Sequence, residues 1–193
     1  MPPELWCVRH AQTEWSAAGR HTSRTEVPLT DAGRHAASAL APVLARGRFA
    51  LVLVSPRDRA RETAALAGFA GAEVDADLAE WDYGDLEGLT TDEIRARGGE
   101  WSRWTIWTGP VPGGESLAEV TVRADAVLAR VDGAAGDVLC FGHGHMLRVL
   151  TARALGFGAA AGARFGLEPA TVNVVGHEHE LRVLRRWNAR PGA

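Results

Sequence analysis

The stretch LWCVRH, residues 5–10, sets the fold of this 193-residue chain. An apolar run ends abruptly at Arg9 and His10, two side chains that can both carry positive charge. A short apolar run of this kind is typical of a strand that is buried on both faces of a sheet. Because two adjacent cations repel each other, their pairing at a buried strand end indicates either a solvated terminus or a site that receives a negative group.

Two further runs have the same character: FALVLVS, residues 49–55, and DVLCFG, residues 137–142. Like the first run, each is followed by polar residues and then by a helical pattern. Ser55 is predicted to cap the helix after the second run, with Pro56 at its first position. The repeated order of strand, loop and helix predicts an α/β fold with parallel strands.

The C-terminal part of the chain adds a helix and a hairpin. ESLAEVTVRADAVLARVDG, residues 115–133, has the apolar spacing of an amphipathic helix. TVNVVGHEHELRVLRRWN, residues 171–188, is typical of two antiparallel strands joined by a polar turn. We therefore predict one domain over residues 1–193, a three-layer α/β/α sandwich with a mostly parallel central sheet and an antiparallel edge. The exposed edge of the hairpin would allow a homodimer.

A loop-rich excursion at about residues 81–114 interrupts this pattern. It is punctuated by Gly and Pro, and its tryptophans are Trp81, Trp101, Trp104 and Trp107. Two interpretations are open. The excursion covers the functional edge of the sheet, or it packs as a satellite core under a long loop.

Composition limits the partners and the compartment. The net charge of −3 gives no reason to expect a nucleic acid or a membrane surface as partner. All 21 basic residues are Arg, so an anion site must be built from Arg, His and backbone N–H groups. Cys7 and Cys140 lie in apolar stretches without disulfide spacing. Because we find neither a signal peptide nor an apolar run of membrane-spanning length, we expect a cytoplasmic protein.

Anion-binding side chains follow all three predicted strands. They are Arg9 and His10 after the first, Arg57, Arg59 and Arg61 after the second, and His143 and His145 after the third. In an open α/β sheet, ligands bind in the crevice at the carboxyl ends of the strands. Helix starts at the same edge add backbone N–H groups and a positive dipole. Three such ends predict a phosphate site, although Arg57 and Arg61 are also explained as solvent-facing helix residues.

The seven histidines, which include the sequences HGH and HEH, raise the alternative of a metal site. A helical metal site places histidines four residues apart, as in HExxH, and the sequence lacks this spacing. We therefore expect neither a metal ion nor another cofactor.

Phosphate-ester chemistry also needs a carboxylate. LAEWDYGDLEG, residues 78–88, follows a predicted short strand, VDADLAE at residues 74–80. An acid beside the leaving group can protonate the departing oxygen and later accept a proton from water. Spacing alone does not choose among the acidic residues of this segment, which are Glu80, Asp82, Asp85 and Glu87.

Four segments resemble the motifs of the histidine phosphatase superfamily, which has the phosphoglycerate-mutase-like fold. VRHAQTEWS at 8–16 is similar to RHGxTxxN, and SPRDRARETA at 55–64 is similar to SPxxRAxxTA. AEWDYGDLEG at 79–88 resembles ExxxGxxEG, and CFGHGHMLR at 140–148 resembles xxHGxxxR. The four occur in family order, and PLTDAGRHAA at 28–37 matches the stretch that the family places between the first two.

The resemblance implies a role for each motif residue. His10 would be the nucleophile that forms a phosphohistidine, and Glu80 would be the proton donor and later the base. Arg9, Arg59 and His143 would hold the phosphoryl oxygens, and family members use no metal. Substrate binding is implied for Arg9, Ser16, Thr22, Ser23, Arg59, Tyr83 and Gly144. Flanking guanidiniums favour the neutral, nucleophilic form of an imidazole, which makes these roles physically consistent.

The chain departs from the family pattern beside the nucleophile and in the following loop. Ala11 replaces the usual Gly, and Ser16 replaces an Asn that often contacts phosphate. Ser23 stands where a Gly is common, so the substrate side of that loop differs from the usual form.

The implied activity is that of a phosphatase acting on a small phosphate ester. Mutases of this family use additional basic residues, commonly Lys and an Arg pair, and this chain has no Lys and no Arg-Arg between residues 84 and 120. RHAQTEWS, EWDYGDLEG and FGHGHMLR look closest to the branch that contains sedoheptulose-1,7-bisphosphatase, so a sugar phosphate is expected. The alternatives are a phosphoglycerate mutase and a phosphate-ester-binding domain with a decayed site.

Overall fold

A mixed sheet forms the centre of the computed structural model, which describes residues 2–191. Its strands over this range are β1 (Leu5–Arg9), β2 (Leu51–Val54), β3 (Glu73–Val74), β4 (Val138–Gly142), β5 (Val172–Glu178) and β6 (Leu181–Ala189). Across the sheet the order is β3–β2–β4–β1–β5–β6. The pairings among β1, β2, β3 and β4 are parallel, whereas β5 pairs antiparallel with both β1 and β6. The predicted mostly parallel sheet with an antiparallel edge is therefore confirmed.

Helices cover both faces of this sheet. They are α1 (Glu14–Ala17), α2 (Asp31–Ala39), α3 (Ala41–Leu44), α4 (Asp58–Leu66), α5 (Thr91–Arg95), α6 (Leu117–Asp132) and α7 (Gly144–Ala154). One core lies between the sheet and α2, α3 and α4, and it contains Leu139 and Phe141 of β4. The other lies between the sheet and α6 and α7, and it contains Val138 and Cys140. Because successive strand residues point to opposite faces, β4 is buried throughout and joins the two cores into three layers.

Two local predictions are wrong. Helix α4 begins at Asp58, with Arg57 as its N-cap residue, so Ser55 does not cap it and Pro56 lies before its first turn. The predicted strand at 74–80 is limited to Glu73–Val74, and the chain then turns into a short 3-10 helix at Ala76–Leu78. The Asp75 side chain accepts a hydrogen bond from the Asp77 N–H at 2.9 Å, which stabilises this turn in place of a longer strand.

The Trp-rich excursion belongs to the main core on the α6 and α7 side. Trp81 and Trp104 are only 1% and 2% exposed and pack in the same cluster as Ile94 and Val120. Their indole N–H groups donate to the carbonyls of Glu115 and Pro110, at 2.8 and 2.9 Å. The aromatic side chains of the excursion therefore extend the main core on this side and do not form a separate satellite core. Within residues 2–191, no helix combines the length and apolar character needed to cross a membrane.

Candidate active site

The carboxyl ends of β1, β2 and β4 meet at one edge of the sheet. The His10 N–H donates to the Gly142 carbonyl at 2.8 Å, which joins the end of β1 to the end of β4. The Ser55 N–H donates to the Phe141 carbonyl at 2.9 Å and so joins the end of β2 to the same strand. As a result, the rings of His10 and His143 lie with their centroids 5.2 Å apart, although 133 positions separate them in the chain (143 − 10).

His10 is held in one tautomer by its own backbone neighbour. Its Nδ1 lies 2.8 Å from the Ala11 carbonyl oxygen, and because a carbonyl can only accept, Nδ1 carries the proton. Nε2 therefore keeps its lone pair. Burial, followed by the positive charges of Arg9 and Arg59, lowers the pKa of His10 well below its ordinary value. The imidazole is neutral and able to act as a nucleophile.

Two guanidiniums act on this imidazole, the buried one of Arg59 and the partly buried one of Arg9. Arg9 donates from Nη1 to the Leu167 carbonyl, and its Nε has no hydrogen-bond partner among the described residues. Arg59 donates from Nη1 and Nη2 to backbone carbonyls of the loop at 22–25, at 3.0 and 3.1 Å, and its buried Nε is likewise unpartnered in residues 2–191. Buried N–H donors without partners are uncommon in folded proteins, so this pair indicates a site that binds an anion.

His143 precedes the first residue of α7 and faces the same centre. Its Nε2 lies 2.7 Å from the Ser55 hydroxyl oxygen, and within the described chain its Nδ1 is buried without a partner. Burial, then the charge of Arg59, then His10 and Arg9 lower the pKa of His143 well below its ordinary value. Both histidines are therefore neutral, and the positive charge at this centre comes from the two arginines.

Glu80 is anchored at the start of α7. Its Oε1 accepts from the N–H groups of Trp81 and Met146, both at 2.9 Å, and its Oε2 accepts from the His145 N–H at 3.1 Å. These three bonds fix the orientation of the carboxylate, which is 7% exposed.

Among the four acidic residues of the 78–88 segment, Glu80 is the one that lines the cleft. Asp82 forms an ion pair with Arg24, and Asp85 is exposed. Glu87 binds the N–H groups of Ser23 and Thr25. Sequence spacing left four acidic residues as candidates for the proton donor, and their positions in the described structure favour Glu80.

A cleft of about 150 Å³ opens in front of Arg9, His10 and Glu80, while Arg59 and His143 are not among the residues that line it. It is lined by Arg9, His10, Ser16, Gly19, Arg20, His21, Thr22, Glu80, Tyr83, Gly144, His145, Arg148 and Leu167. The walls are mainly polar. The Tyr83 hydroxyl lies 2.6 Å from His145 Nδ1, and burial raises the pKa of Tyr83 well above its ordinary value. Within the described chain, no group of three or more His, Cys, Asp or Glu side chains is arranged to hold a metal ion.

The residues expected to bind substrate fall into two groups. Arg9, Ser16, Thr22, Tyr83 and Gly144 line the cleft, whereas Ser23 and Arg59 do not. The Ser16 hydroxyl is engaged in the capping box of α1, where it accepts from the Thr13 N–H at 2.9 Å. Ser23 is 3% exposed and donates its hydroxyl to Glu87. Outside the cleft, Arg57 pairs with Glu26 and Arg61 is exposed.

Ala11 is fully buried beside the nucleophile. Its side chain belongs to the core on the α2 and α4 side, and its N–H donates to the Thr63 hydroxyl at 3.0 Å. The methyl group that distinguishes it from the usual Gly therefore packs away from the cleft.

Five residues of the cleft were assigned no role from the sequence: Gly19, Arg20, His21, Arg148 and Leu167. Arg148 lies on α7, five positions after His143, and its guanidinium stacks 4.8 Å from the centre of the Trp107 ring. Its position inside the CFGHGHMLR motif is the one signal that could have identified it. Arg20 and His21 lie in a loop without a readable pattern, and burial lowers the pKa of His21 to about 4.

Known proteins resemble this chain in sequence and in structure. The model of the histidine phosphatase superfamily (branch 1) matches residues 5–190. An acid phosphatase of Mycobacterium tuberculosis is 42% identical over 93% of this chain and 89% of its own length. A sedoheptulose 1,7-bisphosphatase of Saccharomyces cerevisiae is 34% identical, over 82% of this chain and 69% of its own length. The solved structure of an open reading frame product from Mycobacterium tuberculosis superposes with a TM-score of 0.93 at 39% identity, and covers 99% of this chain and 100% of that one. The chain therefore belongs to the histidine phosphatase superfamily, and it is a phosphatase.

Proposed function

We propose that the protein hydrolyses a small phosphate monoester, a sugar phosphate, through a phosphohistidine on His10, without a metal ion. The observation that supports this proposal is the set of polar groups near His10. Its Nε2 carries a lone pair, and three neighbouring side chains whose charge or ring acts on His10 each have a buried nitrogen without a protein partner among residues 2–191: Arg9 Nε, Arg59 Nε and His143 Nδ1. A nucleophile surrounded by unpaired donors suits a phosphoryl group, whose oxygens only accept.

The reaction has two balanced steps. In the first, His10 Nε2 attacks phosphorus, the ester P–O bond breaks, and the leaving oxygen takes a proton from Glu80. In the second, the Glu80 carboxylate takes a proton from water as that water attacks phosphorus. The P–N bond breaks and inorganic phosphate leaves, which restores neutral His10 and protonated Glu80.

Electrostatic stabilisation comes from side chains that need no reorganisation. Arg9 and Arg59 bring two permanent positive charges to a buried centre, and their positions are fixed by backbone carbonyls. They can balance the charge of a phosphoryl dianion, which is the task that a metal ion performs in other phosphotransfer enzymes.

The cleft supports the substrate class. Its small volume favours a compact molecule, and Tyr83, His145 and Arg148 offer hydrogen bonds to hydroxyl groups. Arg148 donates from Nε and Nη2 to the Gly162 and Ala163 carbonyls, at 2.9 and 3.1 Å, and its Nη1 is left to bind a second anionic group. A 34% identical relative is named a sedoheptulose 1,7-bisphosphatase, which supports a sugar phosphate here.

Phosphate release from a panel of substrates tests this proposal. The panel contains p-nitrophenyl phosphate, sugar mono- and bisphosphates, nucleotides and phosphoglycerates, each measured with and without EDTA. We expect His10→Ala to lose phosphate release and the acid-labile phosphoenzyme. His35→Ala, the matched control on an exposed face of α2, keeps both. Full turnover by His10→Ala, or loss of activity in EDTA, contradicts the mechanism. Activity that requires 2,3-bisphosphoglycerate and releases little phosphate indicates a mutase instead.

A further inference from the structure

The hydroxyl group of Ser55, which was predicted to cap α4, contacts His143 instead. Ser55 is fully buried at the end of β2, and its Oγ lies 2.7 Å from His143 Nε2. The same Oγ accepts a hydrogen bond from the Arg57 N–H at 3.3 Å. Ser55 thus contacts one of the two imidazoles of the site at Nε2, the ring nitrogen other than the unpartnered Nδ1.

The proton positions follow from counting donors and acceptors. A serine hydroxyl has one proton, and among residues 2–191 the acceptor within reach of Ser55 is His143 Nε2. If Nε2 carried the imidazole proton, both the buried Ser55 proton and the lone pair of Nδ1 would lack a partner, whereas the Nδ1–H tautomer leaves a single group, the Nδ1–H, without one among residues 2–191. The favourable arrangement therefore has the Ser55 O–H donating to Nε2, so the neutral imidazole carries its own proton on Nδ1.

We propose that Ser55 is a positioning residue that holds His143 in its Nδ1–H tautomer, so that this ring offers an N–H donor to the phosphoryl group. Nδ1 is buried without a protein partner in the described chain, in a ring whose centroid lies 5.2 Å from that of His10. The opposite tautomer would turn a lone pair toward the phosphoryl oxygens, and two acceptors repel. The proposal rests on the proposed function only for the identity of the anion in the cleft.

A neutral His143 ring with its proton on Nδ1 differs from an imidazolium in its charge. A neutral N–H donates a hydrogen bond without adding a third positive charge next to Arg9 and Arg59. Burial and the charges of these arginines lower the pKa of His143, so protonation of its Nε2 is disfavoured and the Ser55 O–H keeps its acceptor. The tautomer is therefore held by a hydrogen bond in a neutral ring over the whole neutral pH range.

Nuclear magnetic resonance on the wild-type protein tests the proposal directly. With 15N-labelled histidine, long-range 1H–15N correlations report which nitrogen of each ring carries the proton, and His143→Gln assigns the signals. We expect Nδ1 of His143 to be protonated and Nε2 to be unprotonated at neutral pH. An Nε2–H tautomer overturns the proposal. Because this measurement needs no turnover, it stands or falls independently of the proposed function.

Two variants extend the test to binding. In Ser55→Ala we expect the Nδ1–H tautomer to lose its dominance and inhibition by inorganic phosphate to weaken about tenfold, the effect of one lost hydrogen bond. Thr151→Val is the matched control, because it removes a buried hydroxyl on α7 that donates to the Leu147 carbonyl at 2.8 Å, away from the cleft. The control keeps the tautomer and the phosphate affinity. A Ser55→Ala protein that folds, as judged by circular dichroism, and keeps both properties contradicts the proposal.

Discussion

Arg9 and His10 are neighbours in the chain, yet they enter the cleft in different charge states. The guanidinium is a permanent cation, whereas burial and the charges of Arg9 and Arg59 keep the imidazole neutral. Because every basic residue of the chain is Arg, the charge that receives a phosphoryl group does not titrate near neutral pH. The arginines therefore keep their protons, and proton transfer in the site depends on its imidazoles and on Glu80.

Glu80→Gln tests the proton transfer at the scale of one residue. The amide keeps the size of the side chain but can neither give up a proton to the leaving group nor accept one from water. We expect kcat with a sugar phosphate to fall by about 10²–10⁴-fold. With p-nitrophenyl phosphate, whose leaving group needs no proton, the burst of p-nitrophenol in rapid-quench measurements is largely retained, while later turnover is slow.

Asp85→Asn is the control for this experiment, because it neutralises an exposed carboxylate five positions along the same segment. It should change neither the burst nor the steady-state rate. In Glu80→Gln, a p-nitrophenol burst that falls by as much as kcat with the sugar phosphate would contradict the role of Glu80 as the acid and would indicate a structural role.

At the scale of elements, α2 packs directly against the loop that follows the nucleophile. A Cβ placed on Gly33 would lie 2.3 Å from the Gln12 carbonyl oxygen, which is closer than real contacts allow. The same carbonyl accepts the Thr30 N–H at 2.9 Å. This close approach explains why the PLTDAG stretch carries a glycine inside a helix, where alanine is otherwise the better helix former.

Gly33→Ala is therefore expected to destabilise the protein, although the same change in an open helix stabilises it. Either α2 or the loop at 10–13 must shift, and overpacking of this kind costs about 1–3 kcal/mol. We also expect kcat/KM to fall, since the loop carries His10. Urea unfolding followed by tryptophan fluorescence measures the loss. Gly71→Ala is the control, because its Cβ would meet no atom within 4 Å. Equal stability of the two variants would show that the contact is relaxed in solution.

The loop at 22–25 is fastened between two charged side chains. Arg59 donates to its carbonyls, and Glu87 accepts from the N–H groups of Ser23 and Thr25 at 2.9 and 3.0 Å. Burial alone would raise the pKa of Glu87, but the hydrogen bonds from Ser23 and Thr25 outweigh it and hold the pKa below its ordinary value. Thr22 brings this loop to the wall of the cleft, so its position bears on substrate binding.

Glu87→Gln should loosen this loop. The amide has one acceptor oxygen in place of two carboxylate oxygens, so at least one of the N–H groups loses a charge-assisted bond, which is worth about 1.5–3 kcal/mol. We expect KM for a sugar phosphate to rise more than kcat falls. Steady-state kinetics, with Asp85→Asn as the matched control on the same segment, measure this split. A fall in kcat at unchanged KM would argue that the loop contributes to the chemical step instead.

Ser55 shows why some elements were predictable and others were not. The sequence SP before a helical pattern is typical of an N-cap, and that local rule failed because the hydroxyl is engaged by His143, which lies 88 positions away. Strand ends were easier to place, because parallel strands bring their carboxyl ends to one edge of the sheet regardless of loop conformation. Arg20 and His21 were not predictable, since their places depend on loop geometry that leaves no periodic signal.

At the scale of the whole molecule, the site is assembled from segments that the sheet alone brings together. Arg9, Arg59, Glu80 and His143 come from four separate parts of the chain, and the resemblance to a known family predicts all four as site residues. The resemblance implied Ser16, Thr22 and Tyr83 as binding residues but assigned no role to Arg20, His21 or Arg148, so it covered only part of the outer wall. This wall is built from the loop at 16–22, from Tyr83 and from Arg148, and it decides which phosphate ester fits.

Four buried or largely buried histidines should make the stability of the whole molecule depend on pH. They are His10, His21, His143 and His145, and burial is the first cause of the lowered pKa of each. In the unfolded chain their pKa values return to about 6.5, so below that pH the unfolded state binds protons that the folded state does not. Stability is therefore at its full value above pH 6.5 and falls as the pH is lowered, by up to about 1.4 kcal/mol per pH unit for each histidine.

Urea unfolding between pH 7.5 and pH 4.5 measures this dependence. His21→Gln should reduce the slope of unfolding free energy against pH between 6.5 and about 4, the range in which its folded-state pKa keeps this imidazole neutral. His35→Gln, a change on the exposed face of α2, should leave the slope as in the wild type. If the wild-type free energy stayed constant from pH 7 to pH 5, these imidazoles would have to take up protons in the folded state. The neutral nucleophile on which the proposed chemistry depends would then be lost in the same range.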